Sequence, residues 1–436
     1  MSLFGIAWRN IRQRLLTSAL TALSLGLGVA LVVATLVTAG VVEKVFASGS
    51  GLGYNIIVGA KGSPLQLVLN SVYLISKPIE NVSWAFYREF LPAAERGDGV
   101  DGRYAGGVQT AVPICMGDYF RGHRVVGTSA AYFDRLEAGD GRPFRFAAGR
   151  NFRDDEWFSG VLGAGVAASL GLKVGDRFSP THAADDGPQH DPFTVVGILA
   201  RTGTPVDRGV YVNMEGFYLQ EGHAKPVAAG AADGAGAADA AQPAEPATDR
   251  PRRLPDAQRE VTAILLDTPD WIALGLRTAI NEGTDGQAAM PILEIRQLLD
   301  VFVKPLKLFL LLVTALVVVV AAIGILVSMV GSSLERSRDV AIMRALGAHR
   351  GHVLATVLLE AVILALAGGL GGWVLGHLIV GAIGPLITSG VGASAGVLSA
   401  APLAELLLVP LLVILAIAAA LLPALAAYRT DVSRWL

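Results

Sequence analysis

A chain of 436 residues that is 53% hydrophobic, with a mean hydropathy of +0.52, is too apolar for an average soluble protein and points to a membrane protein. Its 35 Lys+Arg nearly cancel its 37 Asp+Glu, to a net charge of -2, which argues against nucleic acid as a partner. The single cysteine, Cys115, excludes an intrachain disulfide and any cysteine-built zinc or iron–sulfur site within one chain.

Residues 1–16 place Phe4, Ala7, Trp8, Ile11 and Leu15 on one helical side and Arg9, Asn10, Arg12 and Arg14 largely elsewhere. That is the pattern of an amphipathic helix on the cytoplasmic membrane surface. Residues 17–42 carry no charge and exceed the roughly 20 apolar residues that cross a bilayer, so they read as a first span. A signal peptide is the competing reading, since Val37-Thr38-Ala39 has the form of a cleavage site. The apolar run is longer than the roughly 7 to 15 residues of a signal-peptide core, which disfavours it.

Three further spans are predicted at 305–334, 353–380 and 405–428. Arg9, Arg12 and Arg14 precede the first span, Arg336, Arg338, Arg344 and Arg350 lie in the 335–352 connection, and Arg429 and Arg434 lie in the 429–436 tail. The 381–404 loop has neither Lys nor Arg. The positive-inside rule then puts both termini and the 335–352 connection in the cytoplasm and the 43–304 insert outside.

The insert reads as a mixed α+β domain. Strand patterns occur at 55–58, 124–126, 193–198, 209–212 and 261–266, and helical ones at 64–74, 83–91, 165–170, 271–281 and 295–303. Between 224 and 253 the composition falls to Ala, Gly, Asp and Pro, which cannot bury enough surface to offset ordering entropy; a disordered loop is expected there.

Motifs for chemistry are few. No phosphate loop, G-x-S-x-G elbow or H-E-x-x-H helix occurs. The segment Gly59-Ala60-Lys61-Gly62-Ser63-Pro64 has its lysine before the second glycine and a proline where the helix should open, so it reads as a turn. The segment 181–191, THAADDGPQHD, offers His182, Asp186, His190 and Asp191 as nitrogen and oxygen donors suited to zinc, with Asp185 in the same run and His223 beside the Ala/Gly loop. A solvated hairpin tip has the same composition, and both readings stand. Gly368, Gly372 and Gly376 recur every fourth residue in the third span, a face that lets helix backbones approach closely. In SLERSRDVAIMRALG, 333–347, apolar residues alternate with arginines, which suits either a surface helix that docks a partner or a polar turn that fixes orientation.

The order of these parts resembles the MacB/FtsX-like permeases, the membrane subunits of type VII ABC transporters. The resemblance rests on WRNIRQRLLTSALTALSLGLGVAL (8–31), VLGAGVAASLGLKVGDRF (161–178) followed by FTVVGIL (193–199), and LERSRDVAIMRALGAHRGHV (334–353). It implies four transmembrane helices with a periplasmic core domain between the first and second, in a bacterial inner membrane. The chain itself would be non-catalytic, and would act as a homodimer or with a related permease. A separate ABC ATPase subunit would carry ATP and Mg and dock on Glu335, Arg336, Arg338, Arg344 and Leu346. A periplasmic adaptor or substrate-binding protein is a further partner of such permeases, alongside membrane lipids. The function implied is export or extraction of a substrate driven by movement of the outer domain. A non-transporting activator of cell-wall hydrolases is one alternative. A component of zinc uptake or homeostasis is another, suggested by the His/Asp segment.

Overall fold

The computed structural model describes residues 2–48, 52–78, 80–139, 141–182, 187–225, 253–335, 349–391 and 402–428. These divide into a sheet domain, Val45–Leu298, and a helical unit formed by the residues before it, those from Leu299 to Ile387 and the last helix. The Ala/Gly/Asp/Pro stretch expected to be disordered falls almost wholly outside the described residues, as do Arg336, Arg338, Arg344, Leu346 and Asp186.

In the helical unit, α1 (Leu3–Gln13) is capped by Ser2, whose hydroxyl accepts from the Gly5 N–H, satisfying one of the free donors of a helix start. Its apolar side is divided. Ala7 and Ile11 are buried, Ile11 in a cluster with Leu25, Leu364 and Ala416, while Phe4 and Trp8 remain exposed, as suits a helix lying at a membrane interface. It is followed by α2 (Leu15–Ser48).

The sheet domain is built on strands β1 (Ile56–Gly59), β2 (Val82–Ser83), β3 (Thr110–Phe120), β4 (His123–Thr128), β5 (Phe146–Gly149), β6 (Ser159–Leu162), β7 (Arg177–Phe178), β8 (Thr181–His182), β9 (Phe193–Leu199), β10 (Val210–Asn213), β11 (Glu260–Val261), β12 (Ala263–Asp267) and β13 (Gln287–Ala289). The main sheet runs β13-β1-β12-β3-β4-β10-β6-β9-β5, with β7 added to β9 and β8 to β3; β2 and β11 form a separate pair. Pairing is mixed, parallel at β4/β10 and β6/β9 and antiparallel elsewhere in the sheet. Residues of β1 and β10 are buried throughout, as continuous apolar runs inside a sheet must be, whereas β9 alternates buried and half-buried positions.

Helices fill the connections: α3 (Pro64–Ser71), α4 (Trp84–Arg88), α5 (Ala93–Arg96), α6 (Ala131–Arg135), α7 (Ala164–Leu170), α8 (Met214–Tyr218), α9 (Asp270–Glu282) and α10 (Pro291–Leu298). The false phosphate loop is a turn that starts α3: Ser63 caps it, accepting from the Gln66 N–H, and Lys61 Nζ donates to the Gly283 carbonyl. Residues 295–303, read from sequence as one helix, are the end of α10 and a π-helical turn, Leu299–Val303.

Beyond it lie α11 (Lys304–Glu335), α12 (Arg350–Val391) and α13 (Pro402–Tyr428). Three segments among the described residues are long and apolar enough to cross a membrane: Leu15–Glu43, Pro291–Gly324 and Gly351–Gly384. In α13 the apolar segment is Pro410–Leu421. The glycine face of α12 packs on α2. A Cβ built on Gly368 would lie 2.6 Å from the Ala22 carbonyl, one on Gly372 2.3 Å from the Gly26 carbonyl, and one on Gly376 2.8 Å from Val33 Cβ. Ala22, Gly26 and Ala30 are themselves four residues apart, so two small-residue faces meet. Gly372→Ala should therefore overpack this contact at a cost of about 1–3 kcal/mol. Gly371→Ala, whose Cβ would meet open space, should be close to neutral. Thermal unfolding of the detergent-solubilised variants checks this, and equal midpoints would rule out the contact.

Candidate metal centre

Strand β3 is long enough for its edge to serve two partners. Thr110 to Ile114 pair with β12, and after a bulge between Met116 and Tyr119 the same strand pairs with β8 at Asp118↔His182 and Tyr119↔Thr181. A cavity of about 390 Å³ includes Cys115, Gly117, His182, His223 and Thr262 in its lining.

Residues 180–182 pair with residues 188–190, the His182 N–H donating to the Pro188 carbonyl and the His190 N–H to the Pro180 carbonyl. This brings two imidazoles eight positions apart to one place, over the carboxylate of Asp118. The third imidazole, His223, arrives from the turn that follows α8, where its N–H donates to the Gln220 carbonyl and its ring lies 4.2 Å from that of Phe217. The buried Gln220 side chain links that turn to the segment carrying His190, accepting from the Asp191 N–H at 2.9 Å.

Donor atoms of four residues converge. Asp118 Oδ1 lies 3.1 Å from His223 Nε2 and 3.4 Å from His182 Nδ1, Asp118 Oδ2 lies 3.4 Å from His190 Nε2, and His182 Nδ1 lies 3.2 Å from His223 Nε2. All four fit within 4.8 Å of one another. The side chains of Asp118, His190 and His223 are 1%, 4% and 4% exposed, whereas that of His182 is 40% exposed. His223 Nδ1 lies 2.7 Å from the Phe217 carbonyl; donating there turns the Nε2 lone pair inward, the arrangement by which a backbone acceptor fixes a ligating tautomer. Asp118 Oδ2 and His190 Nε2 are buried with no hydrogen-bond partner. Burial lowers the His190 pKa below the ordinary imidazole value, and its two neighbouring imidazoles act in the same direction against the Asp118 carboxylate. A neutral imidazole is the form that ligates a metal.

Of the residues selected from sequence, the structure brings His182 and His190 together. It leaves Asp191 exposed, outside the four-atom set, and Asp186 lies outside the described residues. His223 enters from a turn 41 residues beyond His182. Asp118, which the sequence reading missed, sits 64 positions before His182 in a strand containing Pro113 and Gly117. Glu335 closes α11, and the rest of the expected docking segment is outside the described residues.

Two family models match the chain: the MacB-like periplasmic core domain over residues 18–247 and the FtsX-like permease C-terminal domain over residues 311–432. Among known proteins, the macrolide export ATP-binding/permease protein MacB of Escherichia coli K12 is 42% identical over 76 residues, 17% of this chain and 12% of that protein. The protein of the same name in Neisseria gonorrhoeae is 36% identical over 78 residues, 18% of this chain and 12% of its own. The matched region thus spans about an eighth of these relatives' length.

The turn that carries His223 is held through α8 by a buried cation. The Arg259 guanidinium, wholly enclosed, sits 3.7 Å from the Trp84 ring centroid and 4.9 Å from that of Tyr218, and pairs with Glu215 at 2.7 Å. Tyr218 in turn donates to the Glu260 carbonyl at 2.5 Å and accepts from the Cys115 thiol at 3.2 Å. Burial pushes the Cys115 pKa up to about 12, partly offset by its bond to Tyr218. Only about one thiol in ten thousand is then ionised at pH 8, and the thiolate is the nucleophile. Iodoacetamide should leave Cys115 unlabelled in the native protein at pH 8 and label it fully after denaturation. Arg259→Ala leaves the Glu215 carboxylate with only the exposed Arg253, 3.3 Å away, as its cation and removes the group between the Trp84 and Tyr218 rings, so it should lower the unfolding midpoint and hasten native-state labelling; unchanged labelling would deny Arg259 this role.

Proposed function

Because the chain belongs to the family of MacB-like and FtsX-like permeases, with the core-domain model alone matching more than half of its length, we propose that it is the membrane subunit of an ABC transporter. In this reading it crosses a bacterial inner membrane four times, with both termini in the cytoplasm and the sheet domain in the periplasm. It works as a dimer on a separate ABC ATPase and moves a substrate on the outer side by export or extraction. The observation that carries the proposal is the order of the two domain matches along one chain, the MacB-like core first and the FtsX-like region after it. No phosphate loop occurs in these 436 residues, so ATP and Mg are assigned to the ATPase.

Force has a direct covalent route in this arrangement. Both ends of the sheet domain continue into long apolar helices, α2 before it and α11 after it. Displacement of the cytoplasmic ends of these helices is transmitted without an aqueous channel between the spans. The connection from Glu335 to His352 is the docking element, with Glu335, Arg336, Arg338 and Arg344 meeting charges on the ATPase and Leu346 filling an apolar recess.

Leu346→Asp places a carboxylate in that recess and should reduce ATPase binding at least tenfold, with loss of coupled turnover in the reconstituted complex. Co-purification with the ATPase, together with turnover in proteoliposomes, measures both. Binding and turnover at wild-type levels would remove the docking assignment.

A further inference from the structure

The four-donor cluster on the β3 edge is used nowhere in the coupling reading, and it is built for a ligand. We propose that Asp118, His182, His190 and His223 form a binding site for one zinc-class divalent cation.

Geometry, burial and donor chemistry agree on this. A tetrahedral zinc with bonds of about 2.0–2.1 Å has ligand atoms about 3.3 Å apart along each edge. Asp118 Oδ1, His182 Nδ1 and His223 Nε2 are separated by 3.1, 3.2 and 3.4 Å, and His190 Nε2 lies 3.4 Å from the other carboxylate oxygen, Oδ2. The 4.8 Å span of the full set is wider than one edge, so the widest separation closes by about 1.5 Å on binding.

A carboxylate that is 1% exposed needs a compensating positive charge. Within the cluster it faces three imidazole nitrogens, and its Oδ2 and His190 Nε2 are both buried without a hydrogen-bond partner. A single cation between them satisfies both atoms. It also removes the conflict at His223, whose Nε2 lone pair otherwise points at the Asp118 carboxylate once Nδ1 has donated to Phe217. Three imidazoles and one carboxylate suit zinc and its borderline neighbours, whereas calcium and magnesium prefer oxygen ligands throughout. With four protein ligands the site has no open position, which makes it a binding site rather than a hydrolytic one. The exposed edge of His182, in the lining of the 390 Å³ cavity, supplies the entry path.

The site is independent of the docking of an ATPase, so failure of either leaves the other intact. The test uses the full chain, purified in detergent without a polyhistidine tag and stripped with a chelator, with zinc and cobalt(II) as probes. We expect one zinc per chain in competition with a chromogenic chelator, a rise in unfolding temperature on zinc addition, and the visible absorption of four-coordinate cobalt(II). His182→Gln, at the exposed ligand, should fold normally and weaken zinc binding by about tenfold or more. A His190→Gln, His223→Gln double variant should lose the cobalt spectrum, while His377→Gln, far along α12, should keep it. Absence of stoichiometric zinc binding by the wild-type chain would overturn the site, as would a cobalt spectrum unchanged in the double variant. Should the double variant not fold, the wild-type cobalt spectrum and the His182→Gln affinity decide the matter.

Discussion

The sheet domain is organised around one buried cation. Arg259 is wholly enclosed, and the groups that enclose it come from distant parts of the chain: Trp84 from α4, and Glu215 and Tyr218 from α8. A guanidinium in that position costs several kcal/mol to desolvate, which only a close carboxylate and flanking aromatic faces offset. The requirement fixes α8 in place and orients Tyr218 toward Cys115 and Glu260. Since α8 is five residues long, it has too few internal hydrogen bonds to hold a position by itself. The turn behind it, and with it the His223 imidazole, inherits its location from the Arg259 contacts.

Strand β3 is the second constraint, because one edge of it serves two functions. Against β12 it contributes to the core, with Val112 and Ile114 at 0% and 1% exposure. The bulge after Met116 ends that mode of packing and lets the strand continue with Asp118 opposite His182. A bulge inserts a residue and re-aims the side chains beyond it. Gly117 supplies the small residue at this point, and a polar group is placed where strict alternation within a core strand would set an apolar one. The cluster is therefore fastened to the most extensively paired part of the sheet, while two of its imidazoles come from turns.

Much of the fold is legible in the residues themselves. Phe193 to Leu199 alternates by twos, Pro64 opens a helix behind a serine cap, and the long apolar runs become α2, α11 and α12. Strand β3 is not legible in the same way, since Pro113 and Gly117 both argue against a strand; what admits them is that β4 ends at Thr128, opposite Ile114, so Pro113 pairs with β12 alone, and that Gly117 falls in the irregular register between Met116 and Tyr119, both properties of the folded sheet. The candidate site divides along the same line. His182 and His190 stand out because their segment is locally rich in donors, and the main-chain pairing that brings them together is local too. Asp191 follows His190 directly, and its main chain rather than its carboxylate is engaged, by Gln220. Asp118 and His223 are 105 residues apart, and no local spacing joins them.

The two halves of the molecule solve opposite problems with polar atoms. In the helical unit, carbonyls at Ala22 and Gly26 approach α12 so closely that only glycine fits opposite them, and association there rests on van der Waals contact between backbones, because a bilayer supplies no hydrophobic gain to helices that leave lipid for one another. In the sheet domain, apolar burial is ample, with Ile56, Val58, Ile264 and Leu266 all at 0% exposure, and the fold has no need of a charged cluster for its stability. A buried carboxylate ringed by imidazoles is costly there unless a cation repays its desolvation. Replacing the four residues by apolar ones of similar size would be the cheaper core. The chain instead brings four groups that could hold a metal ion from three separate segments to one point, an arrangement for which the proposed cation site accounts.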